Sequence, residues 1–105
     1  MNLAKDPINL PSEFFKLSIE EQNAACEWIK KNLVPIKSPN YKCSSYRLKH
    51  LCEREMPNGY ISNGAFKGAM EKCGFTAYKT SEVNWYYNIS KKSITKLYNE
   101  INKNY

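Results

Sequence analysis

The chain has 105 residues, of which 42% are hydrophobic and 25% charged, and its net charge is +6. This length suits a single domain, and no apolar run approaches the roughly 18 residues that a membrane-spanning helix needs. Asp6 and Pro7 stand where a secretory signal would have its apolar stretch. We therefore expect a soluble, cytoplasmic protein with no membrane partner.

The basic charge is concentrated in the last two thirds of the chain. Residues 1–35 hold four lysines and five acidic residues, whereas residues 36–105 hold twelve lysines and arginines and five acidic residues. A basic surface of this kind favours a polyanion such as nucleic acid as the partner, although lysines also serve solubility alone.

Catalysis, metal binding and cofactors have little support in the sequence. His50 and Cys52 form one His-x-Cys pair, but no second close pair completes a zinc site. Without a secretory signal the four cysteines are not expected to form disulfides, and three of them (Cys26, Cys52 and Cys73) share apolar helix faces. With one histidine and one aspartate in the chain, we expect a non-enzymatic protein with no cofactor.

The sequence of the first third of the chain predicts an extended arm followed by a helix. Residues 1–17 begin as extended chain, and a turn at "PSEFF" is expected to bring Phe14 and Phe15 onto the core. "SIEE" is a capping box that starts the first helix at Ser18. Pro35 ends that helix near Leu33, and "VPIKSPN" is predicted to be a loop.

Two further helices follow a short predicted strand at "YKC" (41–43). The first spans 45–55 and the second 62–73, with "MPNG" between them as a turn. In the second, Phe66 and Met70 belong to an apolar face, and Gly74 provides a C-terminal cap.

The rest of the chain predicts a hairpin and a last helix. "FTAYKT" (75–80) and "WYYNIS" (85–90) alternate as strands do, with residues 81–84 joining them. Trp85, Tyr87 and Ile89 share one side of the second strand. The last helix runs from Ser90 or Ser93 to about residue 103.

This order of elements resembles the winged helix-turn-helix domains. Helices 45–55 and 62–73 correspond to the paired helices, and residues 75–90 correspond to the wing. The resemblance implies an α+β, mostly helical fold in which 18–103 form one domain and 1–17 an N-terminal arm. "YISNGAFKGAMEKCGF" and "NWYYNISKKSI" are also similar to small proteins of Gram-positive phages and mobile elements, which implies a regulator or replication accessory.

The resemblance nominates the helix at 62–73 for contact with the major groove of DNA. Its predicted outward face carries Gly64, Lys67, Gly68 and Lys72, and Ser62 and Asn63 lie at its N-terminus. The two glycines would let a DNA backbone approach closely, or alternatively another protein element. The six-residue connection before this helix is longer than is usual for the motif, and Glu82 lies at the predicted wing tip.

Other residues extend the predicted binding surface: Arg47, Lys49, Lys79, Tyr86, Lys91 and Lys92. Double-stranded DNA is the first expected partner. Single-stranded DNA is the second, because Tyr60, Tyr78 and Tyr86 are candidate stacking platforms beside lysines. A protein-binding adaptor or inhibitor, acting on an acidic replication or defence protein, is the alternative from another class.

Overall fold

The computed structural model describes residues 3–103, and it is an α+β fold in which helices account for more than half of these residues. The α-helices are α1 (Ile19–Asn32), α2 (Ser45–Cys52), α3 (Asn63–Lys72) and α4 (Lys91–Lys103). The strands are β1 (Pro35–Asn40), β2 (Ala77–Tyr78) and β3 (Tyr86–Ile89). Short 3-10 helices span Leu3–Lys5, Pro7–Asn9, Pro11–Lys16 and Glu53–Glu55. The predicted class, α+β and mostly helical, is confirmed.

The helix starts follow the predicted capping residues. The Ser18 hydroxyl accepts from Glu21 N at 3.1 Å, and the Glu21 carboxylate accepts from Ser18 N at 3.0 Å, so the capping box is confirmed. Ser62 Oγ accepts from Ala65 N at 3.0 Å and caps α3. Gly74 adopts a φ of +85°, and this left-handed conformation ends α3 as predicted.

The three strands form an antiparallel sheet in the order β1–β3–β2. The predicted strand at 41–43 is wrong, and so is the predicted loop at 34–40, because β1 occupies Pro35–Asn40. Pro35 and Pro39 lack a backbone N–H, and the sheet tolerates them because β1 is an edge strand. The proline signal that predicted a loop therefore marks an edge position.

The ladder between β1 and β3 is irregular, and side-chain amides replace part of it. Pro35 pairs with Ile89 and Asn40 with Tyr87, so β1 advances by five positions while β3 advances by two. Asn40 Nδ2 donates to Ile89 O at 3.1 Å, and Asn88 Nδ2 donates to Ile36 O at 2.7 Å. The register of the pairing consequently shifts between Pro35 and Asn40, as at a β-bulge.

The N-terminal residues belong to the same core as the rest of the chain. Residues 3–17, which we call the strap, form three short 3-10 helices. The turn predicted at "PSEFF" is confirmed by Pro11–Lys16, whereas the extended chain predicted before it is wrong, because Leu3–Lys5 and Pro7–Asn9 are helical. Phe14 is fully buried, whereas Phe15 is 76% exposed, so only one of the two predicted core contacts exists. Phe14 lies in the apolar cluster that also holds Trp28, Phe66 and Tyr87. Among residues 3–103, no helix is both long and apolar enough to span a bilayer.

We expect the free energy of unfolding to fall as the pH rises above 9. Burial raises the pKa of the thiols of Cys43, Cys52 and Cys73 from 9.0 to about 11, 12 and 11, and it also raises the pKa of Tyr87. The unfolded chain then releases protons that the folded chain keeps, so raising the pH favours unfolding. Lys67 acts in the opposite sense between pH 8 and 10.5, because burial lowers its pKa from 10.5 to about 8.

Urea unfolding in the presence of a reductant measures this balance. Four groups favour unfolding at high pH and one opposes it, so the free energy of unfolding should be smaller at pH 10.5 than at pH 8. An equal or larger value at the higher pH would contradict the burial of the thiols.

Candidate nucleic-acid interface

The face of α3 that was predicted to be exposed is covered by the strap. A Cβ added to Gly64 would meet Leu10 O and lie 2.7 Å from Ile8 O, and one added to Gly68 would meet Pro11 O and the Cβ of Phe14. Both glycines are buried. The predicted exposure of this face is therefore wrong at both glycines, although Lys72 at its end is exposed as predicted. The close approach that the glycines permit is made by the chain's own N-terminal backbone.

Lys67, the predicted phosphate contact on α3, is only 1% exposed. Its ammonium donates to Asn9 O at 2.8 Å and to Val83 O at 2.6 Å, and it lies 4.3 Å from the centroid of the Trp85 ring. Within residues 3–103 it forms no salt bridge. Burial lowers its pKa to about 8. Lys67 thus joins the strap to the β2–β3 loop and offers no charge to a phosphate.

Asn63, at the first position of α3, is also buried. Its side-chain oxygen accepts from Ser45 Oγ at 2.9 Å, and its amide nitrogen lies within 3.2 Å of oxygens on Asn9, Val83 and Asn84. The predicted hydrogen bonds from Ser62 and Asn63 to DNA are wrong for this arrangement. Ser62 serves as the cap of α3, and Asn63 links the helix to its neighbours.

The basic residues near α2 do not form one surface. Lys49 is 6% exposed and pairs with Glu53 at 3.2 Å, so its predicted exposure is wrong. Arg47 is exposed and donates to the hydroxyl of Tyr98 at 3.2 Å. Lys72 is exposed at the end of α3, with its ammonium 5.6 Å from the Phe14 ring centroid. These three side chains have different surroundings and different partners.

A cluster of tyrosines occupies the outward face of the sheet. Tyr87 and Ile89 are buried on the inner face of β3, and Tyr86 points the other way, as predicted. Tyr78 pairs directly with Tyr86 across the two strands. The ring centroid of Tyr41 lies 5.5 Å from that of Tyr86 and 6.4 Å from that of Tyr78.

Lys79 completes this cluster. Its ammonium lies 5.1 Å from the centroid of the Tyr41 ring and 6.0 Å from that of Tyr86. Among the described residues, Lys79 is the only non-glycine residue with a positive φ, at +57°. A lysine in this conformation is uncommon and strained. We call the set Tyr41, Tyr78, Tyr86 and Lys79 the tyrosine surface.

A shallow groove with a cavity volume of about 300 Å³ adjoins the tyrosine surface beside β1. We call it the β1 groove, and Tyr41 belongs to both features. Lys42 and Lys91 line it together with Asn40, and none of its lining residues is acidic. Lys92 follows Lys91 and is exposed. The tyrosine surface and the β1 groove therefore combine aromatic rings with cationic side chains that have no salt bridge within residues 3–103.

The predicted site residues are thus divided between two environments. Tyr86, Lys79 and Lys91 are brought to one surface through their shared neighbour Tyr41, where the two lysines are exposed and Tyr86 is half-buried, whereas α3 contributes nothing to it. Tyr41 and Lys42 were not predicted as site residues. Their tyrosine and lysine neighbours come from the β2–β3 hairpin and α4, more than 35 positions later in the chain, so no local pattern indicates the site.

The tyrosine surface and the β1 groove present aromatic rings and lysine ammonium groups. The described part of the chain contains no group of three or more potential metal ligands. His50 is engaged with the Glu53 carboxylate at 2.8 Å and lies edge-on to the Tyr46 ring. Searches of protein-family models, of curated proteins and of solved structures found no match to this chain.

Proposed function

We propose that this protein is a non-enzymatic nucleic-acid-binding protein that holds a single strand on the tyrosine surface and the β1 groove. The observation that carries the proposal is the cluster of the exposed Tyr41 with the half-buried Tyr78 and Tyr86, in which the Lys79 ammonium lies over the rings of Tyr41 and Tyr86. Single-stranded nucleic acid is commonly held by stacking of its bases on aromatic rings beside a basic groove that follows the phosphates. Lys42 and Lys91 supply the cations of that groove.

A single strand fits this surface better than a duplex does. The helix nominated for the major groove is covered by the strap, and removing the strap would expose Phe14, which is itself part of the core, and break the hydrogen bond from Lys67 to Asn9 O. Base stacking needs unpaired bases, because the faces of bases in a duplex are already stacked on one another. Duplex binding through Gly64, Lys67 and Gly68 is therefore not part of the proposal.

We also propose that the domain is a variant of the winged-helix arrangement. The order α1–β1–α2–α3–β2–β3–α4 and the sheet order β1–β3–β2 support this assignment. The difference from a DNA-reading winged helix is the strap, which lies along the face of α3 that would enter the groove. In this proposal the sheet, not the helix, makes the contact with nucleic acid.

Replacing Tyr41 and Tyr86 together with alanine tests the proposal. Stacking contributes about 1–3 kcal/mol per base, so the double variant should bind an oligo-dT of about 15 nucleotides at least about 30-fold more weakly. Fluorescence polarisation at about 50–100 mM salt gives the affinity for this oligonucleotide and for a duplex of equal length. Circular dichroism verifies that the variant is folded.

Two matched variants make the result specific. Tyr41→Phe with Tyr86→Phe keeps the rings and should keep most of the affinity, and Phe15→Ala removes a 76% exposed aromatic ring that lies outside the surface. Unchanged binding by the folded double alanine variant would reject the tyrosine surface. If the wild-type protein binds neither oligonucleotide, the protein-binding alternative becomes the better hypothesis, with the 76% exposed Phe15 and the 70% exposed Ile19 as its candidate contacts.

A further inference from the structure

A second concave site lies on the other side of the β2–β3 loop, between the strap and α2. Its cavity volume is about 270 Å³. Tyr46 and Tyr60 line it and are 50% and 52% exposed, and the Lys49 ammonium lies 5.5 Å and 4.7 Å from the centroids of their rings. We call this site the amide cleft, because three asparagines also line it: Asn9, Asn63 and Asn84.

The asparagines leave hydrogen-bonding capacity unused. Asn63 Nδ2 carries two hydrogens but lies 3.2 Å from Asn9 Oδ1, 3.1 Å from Val83 O and 3.1 Å from Asn84 Oδ1. Two hydrogens therefore serve three oxygens, so at least one of these contacts is shared or unmade. Within residues 3–103, the amide nitrogen of Asn84 has no acceptor of its own. The Asn84 carboxamide thus presents a donor beside an acceptor that is at most partly used.

The charge of the cleft favours an uncharged ligand group. Lys49 is the cationic residue that lines the cleft, and Glu53 neutralises it through a salt bridge of 3.2 Å. A phosphate would meet no free cation there. A planar heterocycle, by contrast, would find two tyrosine rings to stack against and a carboxamide to pair with its edge.

We propose that the amide cleft binds one unstacked adenine base of the strand held on the tyrosine surface, an inference that rests on the proposed function. A carboxamide donor and acceptor match the N6 amino group and N7 of adenine. Asn84 lines the cleft and Tyr86 belongs to the tyrosine surface, with one residue between them. The two sites therefore flank the same end of β3, and a strand that crosses one is next to the other.

Titration of the whole protein with AMP, followed by amide chemical shifts, tests the cleft apart from the tyrosine surface. Saturable shifts are expected at Val83 and Asn84, and UMP should bind at least about fivefold more weakly. Asn84→Asp keeps the shape of the side chain but removes its donor, so the preference for AMP should disappear. Tyr60→Ala should weaken binding of both nucleotides.

The outcomes separate the two proposals. If oligo-dT binds and depends on Tyr41 and Tyr86 while AMP produces no saturable shift in the cleft, the cleft proposal is overturned and the proposed function stands. Shifts that map only to the tyrosine surface, or an AMP preference that survives in Asn84→Asp, also overturn it. If AMP binds in the cleft and no oligonucleotide binds, the proposed function fails and so does the strand-bound form of this inference.

Discussion

Replacing Gly68 with alanine is expected to lower the free energy of unfolding by about 1–3 kcal/mol, because a Cβ at this position meets Pro11 O and the Cβ of Phe14. Gly64→Ala should act in the same direction, since its Cβ would meet Leu10 O and lie 2.7 Å from Ile8 O. Had this face been exposed, as helical periodicity predicts, either change would stabilise α3 by roughly 1 kcal/mol. The sign of the effect therefore distinguishes a covered helix from an open one.

Urea unfolding of the two glycine variants measures that sign. Glu71→Ala is the matched control, because Glu71 is exposed on the last turn of the same helix, and its effect should stay within about 0.5 kcal/mol. Limited trypsin digestion at Lys5 and Lys16 reports separately whether the strap has come away from α3. A stabilising effect of both glycine variants would mean that the strap does not occupy this face in solution.

Lys67→Glu is expected to destabilise the protein by about 3 kcal/mol or more. The substitution places an unpaired carboxylate, 1% exposed at this position, against Asn9 O and Val83 O, where an ammonium now donates two hydrogen bonds. The glutamate would also face the Trp85 ring, whose negative surface attracts a cation and repels an anion. Detachment of the strap, unfolding of the domain, or both should follow.

The matched control is Lys72→Glu, which makes the same charge change at an exposed position of α3. It should alter the free energy of unfolding by no more than about 0.5 kcal/mol. Lys67→Met separates charge from hydrogen bonding: it removes the buried charge, but it leaves Asn9 O without its donor, so its cost should lie between those of the two glutamate variants. A Lys67→Glu protein as stable as the wild type, with altered nucleic-acid binding, would instead support a groove-reading α3.

Local signals in the sequence predicted the helices well and the environment of α3 badly. Ser18 starts α1 and Gly74 ends α3 through interactions within a few residues, so short-range patterns in the sequence are enough to predict these helix boundaries. Periodicity showed that Phe66 and Met70 share an apolar face, and both are fully buried. It did not show that the opposite face is buried too. That burial depends on the strap, whose backbone covers Gly64 without any apolar repeat that would predict the contact.

The candidate interface was predicted in part for a similar reason. Alternation along β3 correctly turned Tyr86 away from the core, because a strand's two faces follow directly from its period of two. Tyr41 was predicted to lie in a short strand at 41–43, whereas it follows the edge strand β1. The two prolines of β1 had led to the prediction of a loop there. Its neighbours Tyr78, Tyr86 and Lys79 come from a hairpin far along the chain, and that pairing cannot be obtained from local pattern.

The strap also has a consequence for the rate at which this chain folds. Its hydrogen bond from Lys67 to Asn9 spans 58 positions, and the pairing of β1 with β3 joins residues about 50 positions apart. The chain loses loop-closure entropy before such contacts can form and stabilise it. Chains that depend on non-local contacts therefore fold more slowly than bundles of helices with local contacts. Residues 3–17 are synthesised before α3 and the β2–β3 loop, yet the surface against which they pack is complete only after both exist. The strap is therefore expected to be among the last segments to find its place.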